Sequence, residues 1–416
     1  MNTEKDTQGC NLKQWLYVVL CALAIFSTIP VARGFQRFIS NTVGREFFNY
    51  FVISVICTGL ILLLYLFIFK LKIKSPSQYF WLVICAGIYF LLNSSLNKAP
   101  EEGIHILEYG LLSYLTFRAL SHNIRDYTIY PTAGLFVLLV GIIDEFLQWL
   151  MPERYWGFND VRLNGLAGGI FLLALWKGIK PKVISQQVQK TSIRIFAGIL
   201  TVNLILLGLC LSNTPEAVKF YTAPFKALSW LRIEEPMAEY GYKHEDPEIG
   251  VFYSRFTLKA LKGIDSDRGE HYGKIMSKEI KPGYTFNQLI KTYNPCTNPF
   301  LYEFATHLFR RNDDFDELAK ADNQHEIIRK SNIVFRENLI IEKYFRNTVK
   351  HSGLAWPGEK VNNLKKTALL QNEDYISNAG QLITAFTQKT ALIIIFIVLI
   401  VVWTALQLWG KISDAD

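Results

Sequence analysis

Apolar residues along this chain gather into eight stretches long enough to cross a bilayer as helices, given a rise of about 1.5 Å per residue. They cover roughly Gln14–Val31, Phe47–Phe69, Tyr79–Leu96, Ile104–Leu120, Thr132–Met151, Asp160–Ile179, Ile193–Leu211 and Thr390–Trp409. One long segment of mixed pattern, from about Asn213 to Lys389, separates the last two. Within it, the β-branched and aromatic content of Glu248–Leu258 predicts a strand. Asp313–Lys350 carries apolar residues at helical spacing and predicts helices, while Pro295, Pro299 and Pro357 mark turns. At about 175 residues the segment can bury a core of its own. The pattern therefore predicts an all-α polytopic membrane protein of about eight transmembrane helices, with a mixed but helix-rich extramembrane domain between the last two. In chain order this gives two N-terminal spans (1–76), a four-helix membrane module (77–180), a linker and seventh span (181–212), an extracytoplasmic domain (213–389) and a C-terminal span with a short tail (390–416).

Composition agrees with that division. Half of the 416 residues are hydrophobic and the mean hydropathy is +0.17, too apolar for an ordinary soluble chain and too polar for one that is all membrane. Net charge is +8, but its distribution says more. Lys70, Lys72 and Lys74 crowd one loop, and Lys177, Lys180, Lys182, Lys190 and Arg194 another. Both lie on the N-terminal side of an eight-span topology, so the positive-inside rule places both termini in the cytoplasm and the large loop outside. The first outer loop dissents, with Arg33, Arg37 and Arg45 read as solvated, snorkelling side chains or as contacts to headgroup phosphates. Acids and bases nearly cancel in the long segment, which argues against nucleic acid as a partner. The first span does not read as a cleaved signal, because acidic as well as basic residues precede it and no small-residue cleavage site follows.

Six cysteines add little. Cys21, Cys57, Cys85 and Cys210 fall in spans, Cys10 precedes the first, and Cys296 stands alone in the long segment, so no disulfide framework is expected there. Just beyond the seventh span, Phe220, Tyr221, Phe225, Leu228, Trp230 and Leu231 fit either a membrane interface or the core of the domain.

The chemistry concentrates between residues 101 and 164. Glu101, His105, Glu108 and Tyr109 share one stripe of the fourth span at i, i+4, i+7 and i+8. Gly141, Asp144, Glu145 and Gln148 share a face of the fifth. Asp160, Asn164 and Gly168 follow at i, i+4 and i+8 on the sixth, where Gly165, Gly168 and Gly169 would let a neighbouring helix approach closely. Polar groups facing lipid are costly, so the three stripes should face one another. The rise per residue puts Asp144 roughly 12 Å, and His105 and Asn164 roughly 6 Å, below the outer surface.

Such a set could bind a phosphate or carboxylate through Arg154 or Arg162. It could run acid–base chemistry through His105 and a carboxylate, or relay protons. It could equally be a buried ion-pair network that fixes helix register and touches no ligand. One histidine among carboxylates could hold a hard cation, yet no paired-histidine or cysteine spacing supports a metal, and no metal or cofactor is expected. In the long segment, Lys243-His244-Glu245-Asp246-Pro247-Glu248 looks metal-like but reads better as a solvated turn. His325-Glu326 lacks the second histidine of a zinc-protease helix. Phosphate loops, dinucleotide fingerprints and nucleophile elbows are absent from the sequence.

The ordered run Glu102, His105, Glu108-Tyr109, Leu112, then Asp144-Glu145-x-x-Gln148, Pro152-x-Arg154 and Asp160-x-x-x-Asn164 resembles the VanZ-like family of bacterial membrane proteins. The likeness covers about Tyr79 to Lys180, a quarter of the chain, and includes Asn93-Ser94-Ser95. Two departures stand out. Ala167 occupies a place usually held by glycine, with Gly168 next, and Glu101-Glu102 stand where a lysine is common, with Lys98 slightly upstream. The family takes its name from a member associated with resistance to the glycopeptide teicoplanin. The resemblance implies a bacterial plasma-membrane protein of the cell envelope rather than a particular reaction. On this reading His105, Asp144 and Glu145 are the candidate acid–base residues, and Tyr109, Gln148, Arg154, Asp160 and Asn164 position a substrate. The ligand would be an anionic envelope lipid or glycan precursor, with membrane lipids around it. The alternative is a non-catalytic scaffold or transport accessory whose large loop binds an envelope protein; a third reading, a solute transporter, lacks the expected inverted repeat.

Overall fold

The structure is a computed structural model and describes residues 2–96, 100–151, 154, 156–185, 187–232, 236–290, 292–295, 297–370, 375–377 and 387–412. Lys98, Pro152 and Cys296 lie outside the described residues, as do the side chains of Cys10, Arg33 and Trp230. The chain divides into two compact units. One comprises Met1–Leu207 with Ile395–Asp416, the other Gly208–Ile394.

The first unit holds α1 (Asn2–Thr42), α2 (Phe47–Tyr65, continued by a wider turn Leu66–Lys70), α3 (Pro76–Ser95), α4 (Ile104–Leu120), α5 (Ile129–Trp149), α6 (Phe158–Leu173, continued by a wider turn Ala174–Ile179), and most of α7 (Lys190–Leu211) and α15 (Gln388–Ile412). Among the described residues six helices are long and apolar enough to cross a membrane: Leu12–Ala32, Phe47–Lys70, Pro76–Ser95, Ile129–Trp149, Lys190–Leu211 and Gln388–Leu408. The expected fourth and sixth spans exist as helices but are not among these six. α4 is only 17 residues long, and α6 opens with Asp160 and Arg162. These two polar helices are instead packed against α5 and each other.

Small residues set that packing. A Cβ on Gly168 of α6 would stand 2.6 Å from Ser113 Oγ on α4 and 2.7 Å from Val137 on α5. No larger residue fits without parting the helices. Ala167, next to Gly168, is fully buried, and its carbonyl accepts a 2.6 Å hydrogen bond from Tyr89 of α3. Toward the far end of α4 the interior is apolar: Phe117, Leu120, Ile124, Ile129, Tyr130, Ala133, Leu172 and Leu175 form one buried cluster. At that end Asp126 ties two loops together, accepting from Thr128 N at 2.9 Å and Gln189 N at 3.0 Å. Burial alone would raise its carboxyl pKa, but the Thr128 hydroxyl, which also donates to it, and these backbone donors hold it below the ordinary value.

One sequence expectation is corrected here. Arg33, Arg37 and Arg45 were expected together in a loop, but Arg33 and Arg37 lie in α1, which runs on as helix to Thr42, and Arg45 stands in the short connection to α2. Pro30 does not end it: the missing N–H frees one carbonyl a turn back, while the rest of the helix keeps its backbone hydrogen bonds internal.

The second unit is helix-rich with one hairpin. It contains α8 (Pro215–Thr222), a tight turn Lys226–Arg232, β1 (Tyr242–Asp246), β2 (Gly250–Ser254), α9 (Leu258–Glu279), α10 (Phe286–Ile290), α11 (Pro299–Leu318), α12 (Gln324–Tyr344), α13 (Arg346–Ser352) and α14 (Gly358–Ala368). The strand expected over Glu248–Leu258 is β2, shorter at both ends. The segment from Lys243 to Asp246, expected in a solvated turn, is strand β1, pairing antiparallel with Tyr242 opposite Ser254 and Asp246 opposite Gly250. Its polar side chains mislead because alternate positions face out. His244 and Asp246 face in, and Asp246 accepts from Tyr344 at 2.8 Å and is paired with Lys343. A single apolar core joins Phe252, Leu261, Met276, Phe300, Leu301, Phe304, Leu308, Ile340, Ile341 and Phe345.

Candidate functional site

The helix spacing of the polar residues turns all three stripes inward. Tyr109 and Asn164 are fully buried, and Asp144 and Glu145 are each 1% exposed. A cavity of about 990 Å³ opens among these helices. His105, Glu145, Gln148, Arg154 and Asp160 line it, together with Glu101, Glu102 and Glu108. Tyr109, Asp144 and Asn164 do not. They sit packed beside it, so the eight residues singled out by sequence fall into two groups, five on the wall and three buried behind.

Hydrogen bonds connect the groups. Gln148 Nε2 donates to Glu145 Oε1 at 2.8 Å and reaches Asp144 Oδ2 at 3.4 Å. Its Oε1 accepts from Arg154. Tyr109 donates its hydroxyl to Asp144 Oδ2 at 3.1 Å, and the backbone N–H of Gly157 donates to Glu145 Oε2 at 3.3 Å. Gln148 thus bridges Glu145 to the arginine, with Asp144 at the edge of its reach, the arrangement a glutamine allows because its amide donates and accepts at once. Asn164 lies against Gly141, where a Cβ would come within 3.1 Å of it and 3.6 Å of the Tyr109 ring. Neither polar atom of the Asn164 amide has a hydrogen-bond partner among the described residues, nor has Asp144 Oδ1.

His105 Nδ1 lies 3.1 Å from Glu108 Oε2, within ion-pair distance but poorly aligned for a hydrogen bond. The carboxyl groups of Glu102 and Asp160 are within hydrogen-bonding reach of each other. Arg162, one of two candidate anion clamps in the sequence, is exposed on another face of α6 and does not line the cavity.

The apolar part of the lining was not legible as part of a site. It comes from α1 and α2, N-terminal to the polar run of residues 101–164: Pro30, Val31, Phe35, Phe38 and Phe48 supply an apolar surface. Gln36 donates to Glu101, and Arg45 pairs with Glu101 at 2.9 Å. The cavity is therefore amphiphilic, with mostly apolar lining from α1 and α2 and mostly polar lining from residues 101–160. Its polar part is acid-rich. Among the described residues, five carboxylates line it, and Arg154 is the one lysine or arginine. No group of three or more His, Cys, Asp or Glu among the described residues is arranged to hold a metal ion.

A second buried polar centre lies in the other unit. Glu337, 0% exposed, takes His307 Nδ1 at 2.6 Å, Tyr375 OH at 2.5 Å, Ser377 Oγ at 2.6 Å and Arg310 Nε at 3.3 Å. Burial would raise its pKa, but His307 and Arg310 hold it below the ordinary carboxylate value. Val251 N–H donates to Tyr375 O and Ser377 N–H to Val251 O, so this centre fastens Tyr375–Ser377 along β2. Its donors saturate the carboxylate, which suits a clasp better than a reactive group.

No family model, no curated protein and no solved structure matches the chain.

Proposed function

We propose that the chain is a VanZ-like protein of the cell envelope whose α4–α6 module receives the head of an amphiphile, with its apolar tail along α1. The single observation that supports this most is the mixed lining of the cavity: phenylalanines and valine from α1 and α2 together with His105, Glu145, Gln148, Arg154 and Asp160. A cavity with convergent polar groups on one side is the usual form of a ligand site. The apolar cluster at the far end of α4 favours a pocket open at one end over a conduit across the bilayer. The excess of acids over cations among the described lining residues favours a hydroxyl- or amine-bearing headgroup, such as a glycan, over an anionic one, since a phosphate would meet repulsion.

In this proposal His105 and Glu108 form the acid–base pair facing the head. Gln148 and Arg154 hold Glu145 in place, and Asp144 with Tyr109 supports them from behind. The fourth and sixth helices complete an eight-span arrangement with both termini in the cytoplasm and the second unit outside. His105→Gln keeps a polar group of similar size and adds no fixed charge. The variant should insert at wild-type abundance yet lose its envelope phenotype, with any rate falling about 10²-fold or more. Abundance and phenotype falling together would support instead the scaffold reading, in which the polar groups only fix helix register.

A further inference from the structure

Beyond the cavity, one exposed surface stands out in the second unit. The last turn of α7, Gly208–Leu211, belongs to this unit, and only three residues separate it from α8. Thr214 caps α8, its hydroxyl accepting from Ala217 N at 3.3 Å, and Pro215 occupies the first helical turn. Val218 and Thr222 are buried against the unit, each 1% exposed. The opposite face carries Phe220, 83% exposed, and just past the helix end Phe225 is 59% exposed. Lys219 and Lys226 stand beside them, also exposed.

This face cannot swing freely relative to the end of α7. Tyr240 donates its hydroxyl to Leu211 O at 2.6 Å, Tyr221 donates to Asn213 Oδ1 at 2.9 Å, and Ala238 N–H donates to Asn213 O at 3.3 Å. The hydrogen bonds fix two exposed phenylalanines within a short helix of the end of a helix apolar enough to cross a membrane.

We propose that Phe220 and Phe225 insert into the headgroup and acyl boundary of the bilayer that α7 crosses, with Lys219 and Lys226 meeting the phosphates of anionic lipids. The occupant follows from continuity and charge. A spanning helix that ends at Leu211 leaves α8 no more than a few residues from the interface. Aromatic side chains flanked by lysines are the composition that lies in an interface plane, roughly 5–10 Å deep. Each lysine near an anionic surface adds roughly a fivefold preference for it.

The test uses the full chain in vesicles of phosphatidylcholine and phosphatidylglycerol, with Phe220 replaced by the photocrosslinker p-benzoyl-phenylalanine. A second sample carries the crosslinker at Tyr242, which is 53% exposed in the same unit. Mass spectrometry of the irradiated protein should find phospholipid adducts at position 220 and none at 242, with phosphatidylglycerol over-represented relative to its share of the vesicle. Combining the crosslinker with Lys219→Gln and Lys226→Gln should keep the adducts but remove that enrichment. Adducts to protein instead of lipid at 220, no adduct at all, or equal lipid labelling at 242 would each overturn the proposal.

Discussion

Replacing Gln148 with leucine isolates the part of the site that geometry defines best. The glutamine gives one 2.8 Å hydrogen bond to Glu145 and receives one from Arg154. The 3.4 Å contact to Asp144 is too long to count for much. Hydrogen bonds to charged partners contribute roughly 1.5–3 kcal/mol each, and a buried charge stripped of its partner costs about 3–5 kcal/mol. Leucine recovers about 1 kcal/mol by burying apolar surface. The net expectation for Gln148→Leu is a loss of about 2–4 kcal/mol, measured by chemical unfolding of the full chain in detergent. A cycle with Glu145→Leu sharpens the test, because in that background Glu145 no longer needs a donor. The second substitution should then cost about half as much, a coupling of roughly 1–2 kcal/mol. A Gln148→Leu variant within about 0.5 kcal/mol of wild type, or two substitutions that simply add, would refute the bridging role.

Two further outcomes follow from other parts of the chain. The Glu337 carboxyl is held below its ordinary value of 4.5, so its contribution to stability is present above pH 4.5 and is lost as pH falls through the lower folded value; Glu337→Gln should flatten this acid limb of a stability–pH profile, and an unchanged limb would remove the clasp from the account. A reporter fused after Asn213 should locate outside the cytoplasm and one at the C-terminus inside, as the lysine-rich loops at Lys70–Lys74 and Lys177–Lys190 require, whereas the reverse pattern would move the cavity to the inner leaflet.

Periodicity made one half of the cavity legible. His105, Glu108 and Tyr109 share one face of α4, and the cost of polar groups in lipid turns that face toward Asp144 and Asn164; Glu101, expected on the same stripe, instead stands in a separate tight turn, Pro100–Gly103, before the helix. Depth was less legible, because spacing does not reveal that Tyr109, Asp144 and Asn164 pack behind the wall while His105 and Gln148 line it. The apolar wall was missed for a physical reason. Phe35 and Phe38 lie among Arg33, Arg37 and Arg45, a stretch that reads as solvated, and nothing local shows that α1 continues through Pro30 to Thr42 or that Arg45 is drawn to Glu101, 56 residues away. In the second unit the helices of Asp313–Lys350 followed from apolar spacing. The Glu337 centre did not, since it joins His307, Arg310, Tyr375 and Ser377 across 70 positions that no sequence pattern brings together.

The most direct test of the account is cryo-electron microscopy of the full chain extracted from its own membrane into lipid nanodiscs without detergent stripping. The account predicts elongated density along Phe35 and Phe38 that ends in a polar head beside His105, Gln148 and Asp160. A resolved cavity closed by direct packing of α1 on α4, with no room for an amphiphile, would contradict it.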